Sequence, residues 1–227
     1  EFKFIPGQFI EIHINKNLTH EFSITSSPKE KELIIATRMR QSVFKNSLKK
    51  LKIGSKIRIE GPFGQLAIHK NKKIPAVFLA GGIGITMARA MIKNSPDRKI
   101  FLFYSNRKKK DAAFLEELKD LEKQSKNFKL ITTMTRENGK HINPEVVKEN
   151  VKYWRRAIYY AIGSIGFVQS MANMLSEMKV KQENIKTENI TGYFPSTIIG
   201  SLDFMLGERP KTFFKASIIC FLVRPKD

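Results

Sequence analysis

The sequence predicts an N-terminal antiparallel β-barrel followed by a parallel-sheet, Rossmann-like α/β domain, a β + α/β fold class. Three observations carry this expectation. Residues 1–72 hold several short strand-like runs separated by Gly and Pro turns. From Ile74 onward, apolar runs alternate with helical patterns, as in successive βαβ units. The run Ala76-Val77-Phe78-Leu79-Ala80 has no polar face, as expected of a strand covered on both sides.

The elements follow in order. Residues 8–14 alternate, with Phe9, Glu11 and His13 on one face and Ile10, Ile12 and Ile14 on the other. Further short strands are expected at 22–25, 33–39, 56–60 and 66–68, with turns at Pro6-Gly7, Ser27-Pro28, Ile53-Gly54 and Gly61-Pro62. A helix is expected over 42–51, since Phe44, Leu48 and Leu51 recur at helical spacing behind Ser42, a good N-cap residue. In the second half, strands are expected at 76–80, 100–104, 128–133 and 157–162, and helices at 86–93, 111–123, 144–150 and 167–178. The basic stretch 69–73 reads as a linker, dividing the chain into a barrel domain 1–72 and an α/β domain 73–193. Residues 194–227 continue neither pattern and read as a tail of unknown role.

Composition narrows the classes. The chain has 227 residues, 41% of them hydrophobic, which suits a globular protein with real cores. Its one cysteine, Cys220, excludes a disulfide framework and a four-cysteine iron–sulfur cluster, and no metal site is expected. No apolar run reaches the ~18 residues of a membrane span, and no signal peptide is visible, so a cytoplasmic setting is expected. The chain starts at Glu1 within an apolar stretch, which reads as a fragment. The formal charge of +20 suits an acidic protein partner or an anionic ligand, or simply a lysine-rich proteome. The positive charge is scattered and no nucleic-acid motif accompanies it, so no nucleic-acid partner is expected.

The segment Gly81-Gly82-Ile83-Gly84-Ile85-Thr86 joins the apolar run to a helix. Glycines there allow close approach of a nucleotide, and a helix N-terminus offers unpaired N–H groups. The spacing differs from G-x-G-x-x-G, and a tight strand-to-helix turn is the alternative. The strand at 100–104 runs into Ser105-Asn106-Arg107, and that at 157–162 into Gly163-Ser164-Ile165-Gly166-Phe167. Ligands of open parallel sheets sit beyond such carboxyl ends. Ser105 and Arg107 suit an adenosine ribose or its 2′-phosphate.

Taken together, these segments resemble the ferredoxin–NADP reductase superfamily over about residues 4 to 193. The order is Pro6-Gly7-Gln8-Phe9, then His20-Glu21-Phe22-Ser23-Ile24-Thr25-Ser26 against the flavin motif Arg-x-Tyr-Ser-x-x-Ser. Next come the helix opening at Ser42-Val43-Phe44-Lys45 and the turn Gly61-Pro62-Phe63-Gly64, then the glycine turn and Phe103-Tyr104-Ser105-Asn106-Arg107. Tyr160-Ala161-Ile162-Gly163 and Glu188-Asn189-Ile190-Thr191-Gly192-Tyr193 close the series.

The resemblance implies a flavin-dependent NAD(P)H oxidoreductase that uses FAD rather than FMN, and NADPH or NADH as hydride donor. It implies that Phe22 packs on the isoalloxazine and that the Ser23 hydroxyl lies near its N5, beside Ile24. Thr37, Arg38 and Met39 would line the flavin; Ser42, Val43 and Phe44 would meet its phosphates, with His20 in the place of the family's Arg. Gly81, Gly82, Gly84 and Thr86 would meet the nicotinamide end, with Gly163 and Phe167 at the neighbouring strand end. Ser105, Asn106 and Arg107 would meet the adenosine end, and Tyr193 would cover the other flavin face. Electrons would pass to ferredoxin, flavodoxin, heme or ferric iron. The alternatives are an electron-transfer subunit that needs a partner chain, and a nucleotide-binding module without redox turnover. Met87, Ser164 and Ile190 depart from the family's Pro, Pro and Phe, and its first strand has no counterpart.

Overall fold

The computed structural model describes residues 2–39 and 41–190, together with the backbone of strand 218–223. The first half contains β1 (Phe9–Asn15), β2 (Leu18–Ser23), β3 (Leu33–Arg38), α1 (Val43–Lys50) and β4 (Arg58–Phe63). β1 is the centre of an antiparallel sheet ordered β2-β1-β4. Its alternation divides the faces as expected. Ile10 and Ile12 enter a core with Phe22, Ile24, Ile35, Phe44, Leu48 and Ile59. Each such fully buried side chain contributes on the order of 2 kcal/mol. The outward face carries Glu21, Glu11 and Glu60 side by side across the three strands. Like charges in register repel. Here Arg58, bonded to Glu60, offsets that repulsion, and His13 Nε2 lies 3.4 Å from Glu60 and 3.8 Å from Glu11.

β3 follows the chain beyond β2: Thr25 N–H donates to Ile34 O at 2.8 Å, and Ile34 N–H to Ser26 Oγ at 3.0 Å. The other edge of β3 carries β10 (Ile218–Val223) in parallel register, with Leu222 opposite Thr37 and Val223 opposite Arg38. Residues 66–68, expected as a strand, are irregular, because Leu66 and Ile68 pack against the second half's core instead of a neighbouring strand.

The second half runs β5 (Ala76–Gly81), α2 (Ile85–Asn94), β6 (Ile100–Asn106), α3 (Leu115–Gln124), β7 (Phe128–Met134), α4 (Pro144–Asn150), β8 (Ile158–Gly163), α5 (Ile165–Glu177) and β9 (Ile185–Asn189). The sheet is parallel throughout, ordered β7-β6-β5-β8-β9. Strand order therefore reverses between β5 and β8, the place where ligands of such sheets bind. Alternate residues of β5 serve opposite layers. Phe78 and Ala80 meet α2 and α3, while Val77 and Leu79 meet α4 and α5. The helix expected from 111 begins at Leu115, because a 3₁₀ turn (Lys109–Asp111) and Phe114 at φ 58° intervene.

The linker is clamped. Arg98, 4% exposed, donates to the carbonyls of His69, Asn71 and Ile74 at 2.6, 2.9 and 3.2 Å. The Tyr160 hydroxyl receives the His69 N–H at 2.7 Å. Among the described residues no helix is long and apolar enough to cross a membrane.

Candidate functional site

At the carboxyl end of β5 the chain enters a 3₁₀ turn (Gly82–Gly84) and then α2. The Thr86 hydroxyl donates to Ile83 O at 2.9 Å and secures this turn. The glycines serve different needs. A Cβ on Gly84 would lie 2.1 Å from Ile162 O, so this glycine lets α2 approach β8. Cβ atoms on Gly81 and Gly163 would lie 2.6 Å and 2.9 Å from the ring of Phe167. At those two positions the close approach is therefore made by the chain's own Phe167. Gly82, at φ 55°, stands in open space, with the Arg38 guanidinium 3.8 Å from its Cβ position.

Neighbouring strand ends extend the floor. Ser105 lies opposite Gly81 on one side and Thr133 on the other. Asn106 and Thr133 are 5% and 2% exposed, and neither side chain has a hydrogen-bond partner among the described residues. Asn106 stands beside Tyr104, but the Tyr104 hydroxyl donates to Ala113 O at 3.2 Å instead. Burial holds that phenol well above its ordinary pKa. Buried polar groups without partners are costly, and their clustering at strand ends points to a polar ligand. Arg107 is exposed, and its carbonyl accepts from Arg136 N–H at 2.9 Å.

In the first half the β2 register places Phe22 opposite Ile10, hence in the core. Its ring is 6% exposed, stacks on His20 at 4.9 Å and 28°, and meets Phe44 at 5.6 Å. Phe22 thus bears on the site through His20 and Phe44 instead of presenting an open face. Ile24 is likewise fully buried, with its N–H bonded to Gln8 O at 2.9 Å, so it offers only backbone. Burial lowers the His20 pKa, outweighing the bond to Glu21 O that raises it, and the nearby Lys45 charge adds a smaller lowering. Ser42 caps α1, its Oγ accepting from Lys45 N–H at 3.5 Å. The first-turn N–H groups of Val43 and Phe44 lie outside the helix's own ladder. Lys45 Nζ donates to Arg38 O at 2.9 Å, tying this helix start to the end of β3, where Thr37 is buried and Met39 follows half-buried.

The two halves meet at these ends. Arg38 Nη2 reaches Asp111 O at 3.5 Å while facing Gly82. The sequence reading overlooked Arg89 on α2, which is 4% exposed and reaches back to Thr25 O at 2.8 Å. Its one legible signal was a charge within the otherwise apolar stretch Ile85-Thr86-Met87-Ala88-Arg89-Ala90-Met91-Ile92. Glu188, opposite Ile162 at the neighbouring strand end, is half-buried, and burial raises its pKa. Tyr193 lies outside the described residues.

The donor set fits the groups implied by the resemblance. The open Gly82 turn, the unpartnered Asn106 and Thr133 and the Arg38 guanidinium suit a nucleotide. The capped helix start with Arg38 and Lys45 suits a flavin phosphate.

Comparison with known proteins agrees with this arrangement. Residues 78–173 match the family model of the oxidoreductase NAD-binding domain. Flavohemoprotein A of Dictyostelium discoideum is 26% identical over 214 residues, covering 82% of this chain and 52% of that protein. The chain thus spans about half the length of this relative. Two solved structures share the fold. A flavohemoglobin from Malassezia yamatoensis with bound FAD and heme has TM-score 0.71 at 19% identity, covering 82% of this chain and 52% of that one. A ferredoxin-NADP+ reductase from Plasmodium falciparum in complex with 2′P-AMP has TM-score 0.68 at 18% identity, covering 83% and 84%.

Proposed function

From the premise that the chain belongs to the ferredoxin–NADP reductase superfamily, we propose that it is a flavin-dependent NAD(P)H oxidoreductase delivering electrons to a further acceptor, as yet unidentified. The observation that carries this reading is the meeting of Arg38, at the end of β3, with the open turn at Gly82. It joins the implied flavin strand to the implied nucleotide turn in one cleft.

When bound, FAD would supply the redox chemistry, that of accepting hydride from NAD(P)H and passing electrons onward. The chain supplies position and charge. The N–H groups of Val43 and Phe44, with Arg38, hold the flavin phosphates. The Ser23 hydroxyl offers a hydrogen bond where hydride arrives. Gly82 and Thr86 receive the nicotinamide end of the nucleotide, and Ser105, Asn106 and Arg107 its adenosine. His20, whose pKa burial lowers, is a weaker cation than the family's Arg, so phosphate binding rests chiefly on Arg38 and the helix start.

The acceptor is proposed as a heme or iron–sulfur protein with an acidic docking face. The flavohemoprotein relatives favour heme, and the +20 charge favours an acidic partner. The test is to load the purified chain with FAD and mix it anaerobically with NADPH and with NADH. Bleaching of the flavin bands, then reoxidation by a heme protein, is the expected result. A chain that takes up no flavin, or keeps it oxidised under both nucleotides, refutes the reading.

A further inference from the structure

Arg89 lies one turn beyond Thr86 on α2, inside the protein and not on its surface. A guanidinium has five N–H donors, and here all five are used. Nε donates to Glu117 at 2.9 Å and Nη2 donates to Glu117 at 2.7 Å and to Glu30 at 2.9 Å. Nη1 donates to Glu30 at 3.1 Å and to Thr25 O at 2.8 Å. The ring of Phe114 lies 5.0 Å from its centre. Lys93, one turn further along α2, bonds the same two carboxylates at 2.9 Å each, so two cations balance two anions. Glu30 is fixed in turn by Ser27 N–H at 2.7 Å.

The bond to Thr25 O gives this network a bearing on the reaction. Thr25 follows Ser23 by two residues within the segment that the resemblance assigns to the flavin. Arg89 follows Gly82 and Thr86 on the helix that opens the nucleotide turn. One rigid side chain therefore sets the spacing between the two segments between which hydride must travel.

We propose that Arg89 is a positioning residue for hydride transfer, holding the Ser23–Thr25 segment at fixed distance from the Gly82–Thr86 turn. The inference rests on the flavin-reductase reading. Such a role has a recognisable signature, since misplacement by ~1 Å costs about 100-fold in rate while leaving each ligand's own contacts intact.

The test compares R89K and E117Q with wild type, all loaded with FAD. Lysine keeps the charge but has three donors on a compact head, so it cannot hold Thr25 and both carboxylates together. E117Q weakens the α3 side of the network and leaves the Thr25 bond. Stopped-flow reduction by NADPH, per bound flavin, should slow about ten- to hundredfold in R89K, with FAD and NADPH dissociation constants within about threefold of wild type. The deuterium isotope effect with labelled NADPH should become more temperature-dependent in R89K. E117Q should lose thermal stability but reduce flavin at the wild-type rate. Wild-type rate and isotope effect in folded, flavin-loaded R89K overturn the proposal, as does a rate loss in E117Q equal to that in R89K. An R89K chain that fails to fold while E117Q slows reduction also overturns it. A wild-type chain that takes up no flavin overturns the functional reading, and this inference with it.

Discussion

The Nη2 atom of Arg38, at the end of β3, stands 3.8 Å from the point where a Cβ on Gly82 would be, in the turn after β5. Its described side-chain hydrogen bond is the 3.5 Å contact with Asp111 O. R38Q should therefore raise the FAD dissociation constant about tenfold, the usual worth of one charge-assisted hydrogen bond. Fluorescence titration of the flavin-free protein measures this, and unchanged affinity would remove Arg38 from the site.

S23A tests the hydroxyl near the reacting atoms. Flavin affinity should hold within about twofold, while the single-turnover reduction rate falls about tenfold, as expected for one hydrogen bond lost in the transition state. Bleaching at wild-type speed would end that assignment.

The glycines of the turn should separate by mechanism. G84A forces a Cβ against Ile162 O and should cost ~2 kcal/mol of stability, read as a fall of several degrees in Tm. G82A meets open space, but at φ 55° should cost ~1 kcal/mol. Its larger effect should be a weaker NADPH complex. Equal Tm losses in the two variants would contradict the structure.

Acid should loosen the junction in a defined window. Burial acts to raise the Glu30 pKa, but bonds from Arg89, Ser27 N–H and Lys93 outweigh it and hold the carboxyl at about 2, below its ordinary 4.5. Glu117 is lowered by the same cations against its own burial. A carboxylate with a depressed folded pKa contributes stability that is complete above its unfolded pKa and is lost as pH falls toward the folded one. The Tm of wild type should therefore exceed that of E30Q at pH 6, and the gap should close between pH 4.5 and about 2. A gap of constant size across that range would show that Glu30 is not the group concerned.

The parallel half was largely legible because its central strands β5, β6 and β8 are buried on both faces and several of its helices carry recognisable ends. α4 occupies the expected 144–150, with Asn143 capping and Pro144 in its first turn. β9 was not anticipated, because Ile185-Lys186-Thr187-Glu188-Asn189 is a polar edge strand whose pairing partner, not its composition, makes it a strand. β10 was not anticipated as a partner of β3 for a related reason: no local pattern reveals pairing across so much sequence. In the site, the glycine turn was visible as a motif, but its division of labour was not, since Phe167 over Gly81 and Gly163 is a tertiary fact. Arg89 was hidden by the usual assumption that a helical arginine faces water.

The Arg98 clamp has a mechanical consequence. Bonds fasten the chain at well-separated places, among them Arg98 on the linker at the amino end of β6 and Arg89 near the carboxyl end of β5. A body pinned at two points has no free hinge. Heat or denaturant should therefore melt the barrel sheet and the parallel sheet in one cooperative step, with fluorescence and circular dichroism giving the same midpoint. Cutting either pin should split that step in two.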